Sequence, residues 1–145
     1  MSTTDEGPQS ALIVESELRE LARVSAWVHD WAALEQLPTR LAQRIDLCST
    51  EVVTNVMTHA AADGTQRIFL RLAWQGEEVA LDVEDEGCEF DPREVPEPVP
   101  ATCLRDAHIG GWGIPIVRRF SDGLCYRHEG GRNCLTLYFR ATEGP

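Results

Sequence analysis

The stretch Glu51-Val52-Val53-Thr54-Asn55-Val56-Met57-Thr58-His59-Ala60 decides how the rest of the chain is read. Glu51, Asn55 and His59 recur every fourth position in a run that otherwise reads as a buried helix. At roughly 100° per residue, steps of four drift by only about 40°, so the three polar side chains form one narrow stripe. Leu41, Ile45, Cys48, Val52 and Val56 form an apolar stripe beside it. A carboxylate and a carboxamide are therefore held at the edge of a core, where they are costly to bury without partners.

Outward from this helix, the chain supplies alternating elements. Met1 to Ser10 is polar and acidic and reads as a loose tail, with residues 11–145 as a single domain. Ala11 to Val14 fits an edge strand. Ser16 before Glu17-Leu18-Arg19-Glu20 reads as a helix N-cap with an acidic first turn. Leu21, Val24, Val28 and Trp31 follow at helical spacing, with Trp27 and Leu34 beside them. Pro38 opens the central helix, which runs to about Ala61 and ends at Asp63-Gly64.

Two strands come next. Ile68, Leu70, Leu72 and Trp74 share one face of the first, and Gln75-Gly76 is a turn signal. Val79, Leu81 and Val83 share a face of the second. Asp85 has the same parity, so it points to the core side and calls for a donor opposite it. From residue 88 to 109 the pattern stops, and four of the eight prolines fall there. A structureless segment that long is often a functional lid. Gly110-Gly111-Trp112-Gly113 then opens a third helix, with Pro115 in its first turn. Leu124 to His128 and Cys134 to Arg140 are two closing strands, joined through Gly130-Gly131. This order predicts a two-layer α/β sandwich: a mixed, mostly antiparallel sheet with about three helices on one face.

Composition narrows the function classes. A net charge of -11 disfavours direct contact with nucleic acid or an anionic membrane surface. It suits a basic protein partner, or serves solubility alone. Five cysteines without a CxxC pair match neither a zinc site nor a disulfide framework, and read as small thiols in a reducing compartment. No signal-peptide pattern follows Met1 and no apolar run is long enough to span a bilayer, so a cytoplasmic location is expected.

Four pieces carry candidate chemistry. The amide oxygen of Asn55 can ligate Mg²⁺ beside substrate phosphates, since that ion takes hard oxygen ligands and keeps several waters. Glu51, one turn earlier, can accept a proton from a water or hydroxyl attacking the terminal phosphate. Alone, this pair is equally the pattern of an exposed helix face. Asp85 can accept from an exocyclic amine, and Gly87 lets backbone approach a flat base. Alone, Asp85-Glu86-Gly87 is equally an acidic turn. Gly110, Gly111 and Gly113 can free amides toward phosphate at a helix start, or act as a lid hinge. No Walker P-loop is present, because no Gly-Lys-Ser/Thr follows. Asn133 or Thr136 can add a polar contact, or serve only the hairpin. His59 reads as a packing residue or a support for Asn55.

Taken together, a Glu-x-x-x-Asn helix, an Asp-x-Gly at a strand end, a long lid and a Gly-x-Gly helix start resemble the GHKL (Bergerat-fold) ATPase superfamily. The likeness runs from about Ala11 to Arg140. The spacing Glu51, Asn55, His59-Ala60, with Phe90-Asp91-Pro92 after the Asp-x-Gly and the run from Gly113 to Phe139, resembles its bacterial anti-sigma factor/serine-protein kinase branch. The resemblance implies ATP and Mg²⁺ as cofactors. Asn55 would hold Mg²⁺, Glu51 would activate a serine hydroxyl on a partner, Asp85 would recognise adenine, and Gly87, Gly111 and Gly113 would shape the pocket. It implies a sigma factor and a STAS-type anti-anti-sigma protein as partners, and a homodimer. Two positions depart from the family pattern. Glu89 stands where a second glycine is usual, and Ile109 stands where kinases often carry a basic residue, with Arg105 and His108 nearby. A non-catalytic ATP-dependent switch is therefore the alternative. A histidine-kinase catalytic fragment is less favoured, because none of His29, His59, His108 or His128 lies in a dimerisation helix pair.

Overall fold

Val79, Leu81 and Val83 alternate with Ala80, Asp82 and Glu84 along a strand, and that period of two builds the middle of the sheet. The computed structural model describes residues 9–60, 67–86 and 113–141. Its elements are β1 (Gln9–Glu15), a 3-10 turn (Leu18–Glu20), α1 (Leu21–Leu34), α2 (Thr39–Ala60), β2 (Arg67–Gln75), β3 (Glu78–Asp85), α3 (Gly113–Phe120), β4 (Gly123–Glu129) and β5 (Arg132–Arg140). The five strands form one sheet in the order β1-β2-β3-β5-β4. Every pairing is antiparallel. This is the expected α/β sandwich with helices on one side.

Register places Val14, Ile68, Leu70, Leu72, Leu81, Val83, Leu135, Leu137 and Phe139 on the face that α1, α2 and α3 cover. Val24, Val28 and Trp31 from α1 enter the same core, with Leu41, Ile45, Cys48, Val52, Val53 and Met57 from α2 and Val117 from α3. Burying each such aliphatic side chain stabilises the fold by about 1.5–3 kcal/mol. Trp31 and Trp74 pack in a tilted arrangement, with ring centroids 6.3 Å apart and planes at 44°. Trp74 Nε1 donates to Glu35 at 2.8 Å, and Trp27 Nε1 donates to Ser10 Oγ at 2.9 Å. The tryptophans thus fasten α1 to the sheet.

Several local expectations are corrected. β1 starts at Gln9, so Gln9 and Ser10 of the expected tail are strand residues. Ser16 does not cap α1: a 3-10 turn intervenes, and its N-cap Glu17 makes no side-chain capping bond. The apolar stripe of α2 turns through Val53 and Met57, leaving Val56 only partly buried. Leu34 is exposed. Asp63-Gly64 lies outside the described residues. The closing hairpin behaves as its glycines suggest. Gly130 and Gly131 both take positive φ, 63 and 78°, which a two-residue loop matching strand twist requires.

One interaction anchors α2 at one end of the sheet. Arg44 Nε donates to the Phe120 carbonyl at 3.0 Å, and its Nη2 donates to Asp122 Oδ2 at 3.1 Å. The guanidinium also lies 5.9 Å from the Phe139 ring centroid. Arg44 therefore sits at the end of the sheet where β5 finishes. From this anchor the buried residues that follow it on α2, Ile45 to Met57, cover the rest of the core. Val117 brings α3 into the same core, and the last residue of α3, Phe120, is held by Arg44.

Candidate functional site

Asn55 lies eleven residues beyond Arg44, about 16 Å along the helix. Asn133 lies six residues before Phe139, about 20 Å along β5. The two distances are comparable, and Asp85 and Asn133 are register partners. Helix rise and strand register are thus consistent with Asn55, with Glu51 one turn before it, lying toward the end of the sandwich that carries Asp85 and the start of α3. Of the remaining sequence candidates, Gly87, Gly110 and Gly111 lie outside the described residues. So do the span 88–109 with Glu89, Arg105, His108 and Ile109, and the side chain of His59.

Asn55 is distinguished by what its neighbours do. Ser49, Thr50, Thr54 and Thr58 each donate to a carbonyl one turn back on α2, at 2.7 to 3.0 Å. Their hydroxyls are closed within the helix. Asn55 is 4% exposed, and its Oδ1 is buried with no hydrogen-bond partner among the described residues. An orphaned buried acceptor costs about 1–3 kcal/mol. A hard cation is the complement of such an oxygen, and a single protein oxygen suits Mg²⁺, whose other ligands are waters and phosphate oxygens. The residues present therefore fit the ion. Glu51, on the same stripe, is half-buried. Close to it, burial pushes the Cys48 thiol up to about 12, with the charge of Glu51 adding to the shift. Cys48 is a core thiol, not a nucleophile.

Asp85 faces the helix layer and is buried, as its parity requires. The donor it called for is Asn133, whose Nδ2 donates to Asp85 Oδ1 at 3.1 Å. Tyr126 OH in turn donates to Asn133 Oδ1 at 2.5 Å. Thr136 does not join this group. It points to the open face of the sheet, where its Oγ1 donates to Asp82 at 2.6 Å. Of the two sequence readings of Asn133, a polar contact or a hairpin residue only, the contact is the one present, whereas Tyr126 is not singled out by the sequence. The usable signal was the demand of Asp85 for a donor, matched to β5 by register. A groove lined by Ile13, Phe69, Arg71, Asp82 and Thr136 lies on the open face, away from these groups.

Comparison with known proteins bears on this geometry. A family model described as a histidine kinase-like ATPase domain matches residues 14–139. The chain belongs to that family. The histidine kinase-like ATPase match spans every described helix and all the site groups above. This family member is also similar to the serine/threonine-protein kinase BtrW of Bordetella bronchiseptica, with 34% identity over 112 residues, covering 77% of this chain and 79% of that protein. A solved structure of the RsbU and RsbW domains of Rv1364c from Mycobacterium tuberculosis shares the fold, with a TM-score of 0.65 and 18% identity. The match covers 95% of this chain and 34% of that one, so this chain spans about a third of its length. No described helix is long and apolar enough to cross a membrane.

Proposed function

We propose that this histidine kinase-like ATPase binds Mg-ATP at the Asn55–Asp85 end of the sandwich and phosphorylates a serine on a partner protein. The observation that carries the reading is the orphaned Oδ1 of Asn55, an acceptor left for a cation while the neighbouring hydroxyls of Ser49, Thr50, Thr54 and Thr58 are satisfied. Asn55 holds the metal, which supplies charge neutralisation to the phosphates. Asp85 accepts from the adenine amine. Gly87 lets the backbone approach the base, and Gly110, Gly111 and Gly113 shape the phosphate end. Glu51 takes the proton of the serine hydroxyl as its oxygen bonds to the terminal phosphorus. The bond to the bridging oxygen breaks and ADP leaves. Positioning and charge, rather than covalent chemistry, provide most of the rate in such transfers.

The kinship with BtrW supports a protein substrate. In the fuller reading, a cytoplasmic homodimer sequesters a sigma factor, and the serine acceptor is a STAS-type anti-anti-sigma protein. Incubation with Mg-ATP and STAS-type proteins from the same cell should yield phosphoserine. A natively folded preparation that binds ATP but phosphorylates none of them would overturn the kinase reading.

Glu89 and Ile109 favour a second reading, in which ATP only sets partner affinity. Without a cation at the transferred group, phosphoryl transfer is slow. Partner binding that is indifferent to ATP, ADP and nucleotide-free conditions would remove this alternative.

A further inference from the structure

Asp85, Asn133 and Tyr126 form a buried chain of side-chain hydrogen bonds across three strands, with Asp85 on β3, Asn133 on β5 and Tyr126 on β4. Its direction follows from the chemistry of the groups. A carboxylate only accepts, so the Asn133 amide must turn its NH₂ toward Asp85. That leaves the amide oxygen toward Tyr126, whose hydroxyl must donate. The three groups are thus locked in one sense, Tyr126 to Asn133 to Asp85. Networks of this kind in a low-dielectric interior polarise one another and fix side-chain orientation.

Orientation matters here because the terminal torsion of an aspartate is soft. A carboxylate held by an amide presents an acceptor in one place. One that can rotate accepts less selectively. We propose that Asn133 and Tyr126 are positioning residues that set base selectivity: they fix the Asp85 carboxylate so that a purine carrying a 6-amino group is accepted and a 6-oxo purine is rejected. The inference rests on the nucleotide reading above. The 6-amino group donates to the carboxylate, whereas a 6-oxo group places an acceptor against it and leaves both oxygens unsatisfied. Neither Asn133 nor Tyr126 needs to touch the base.

The test measures ATP and inosine triphosphate affinities by displacement of a fluorescent ATP analogue. Wild type, Tyr126→Phe, Asn133→Leu and Asn133→Ser are compared, each with a thermal melt. The wild type should favour ATP. Asn133→Leu should cut the ATP-to-ITP preference roughly tenfold or more, the loss expected for one charge-assisted hydrogen bond. Tyr126→Phe, which removes one oxygen and keeps the ring, should cut it by about threefold. Asn133→Ser keeps a donor and should restore part of the preference. A role in packing alone would weaken both nucleotides together and leave their ratio unchanged, and that result overturns the inference. If Asn133→Leu does not fold, the ratio for Tyr126→Phe decides. A wild type that binds neither nucleotide sinks the ATP reading itself and this inference with it. A wild type that favours ATP, with variants of unchanged ratio, sinks the inference alone.

Discussion

Glu51 and Asn55 stand one turn apart on the same stripe of α2, yet only Asn55 is shut from solvent with an acceptor unmet. Glu51 is half-buried beside it. The stability and binding contributions of the two residues should therefore separate.

Asn55→Leu should hold or raise stability while removing Mg²⁺-dependent nucleotide binding. Replacing an unsatisfied buried amide by an apolar group of similar size relieves about 1–3 kcal/mol of desolvation cost. Urea unfolding in the absence of nucleotide checks the first half, and ATP titration with and without EDTA the second. A loss of stability beyond about 2 kcal/mol would make Asn55 a structural residue, with no acceptor to spare for a metal.

Glu51→Gln should lower phosphoryl transfer by about 10²–10⁴-fold, the usual worth of a general base. ATP affinity should stay within a few-fold, because the carboxamide keeps the size of the side chain. Single-turnover transfer and equilibrium binding, measured on one preparation, separate the two. Equal losses in both would assign Glu51 to binding.

Arg44→Ala should destabilise the fold by about 2–3 kcal/mol, since it removes charge-assisted bonds to the Phe120 carbonyl and Asp122 at a partly buried site. Because Arg44 ties α3 to α2, the C-terminal end of α3 should also lose amide protection in hydrogen exchange. Uniform protection changes across the molecule would show that no local latch exists.

Gln36→Gly should stabilise by about 0.5–1 kcal/mol. Gln36 ends α1 at φ 57°, a left-handed conformation that costs a residue with a Cβ. The carbonyls of Ala32 and Ala33 already accept from Leu37 and Gln36 there, so the closing bonds need no rebuilding. A fall in the urea midpoint would mean that the Gln36 side chain matters more than its backbone.

Cys125 should react readily with thiol reagents, and Cys48 should not. Cys125 is exposed, whereas burial lifts the Cys48 thiol from 9.0 to about 12. A folded-state value above the unfolded one favours the native state only while the thiol stays protonated. That contribution is fully present below pH 9.0 and is lost as pH climbs toward about 12. Mass-spectrometric mapping of labelled sites reads this directly. Rapid native labelling of Cys48 would contradict the buried position of the α2 stripe.

The sequence by itself determined whatever depends on a short period. Steps of four put Glu51 and Asn55 on one stripe. Steps of two put Asp85 on the core face with Val79, Leu81 and Val83. The order of the motifs marked an ATPase-like sandwich. Those patterns are legible because helix and strand geometry is local. Tertiary structure alone decided the rest. It anchored α2 through Arg44 at the end of the sheet far from Asp85, on groups 76 and 78 residues away. It showed that the hydroxyls of Ser49, Thr50, Thr54 and Thr58 close on their own helix's carbonyls while Asn55 Oδ1 stays unmet. It brought Asn133 to Asp85 across 48 residues, through the β3–β5 register, and placed Tyr126 behind it. No local period encodes such pairings, because register and helix direction are fixed by which apolar faces must cover one another.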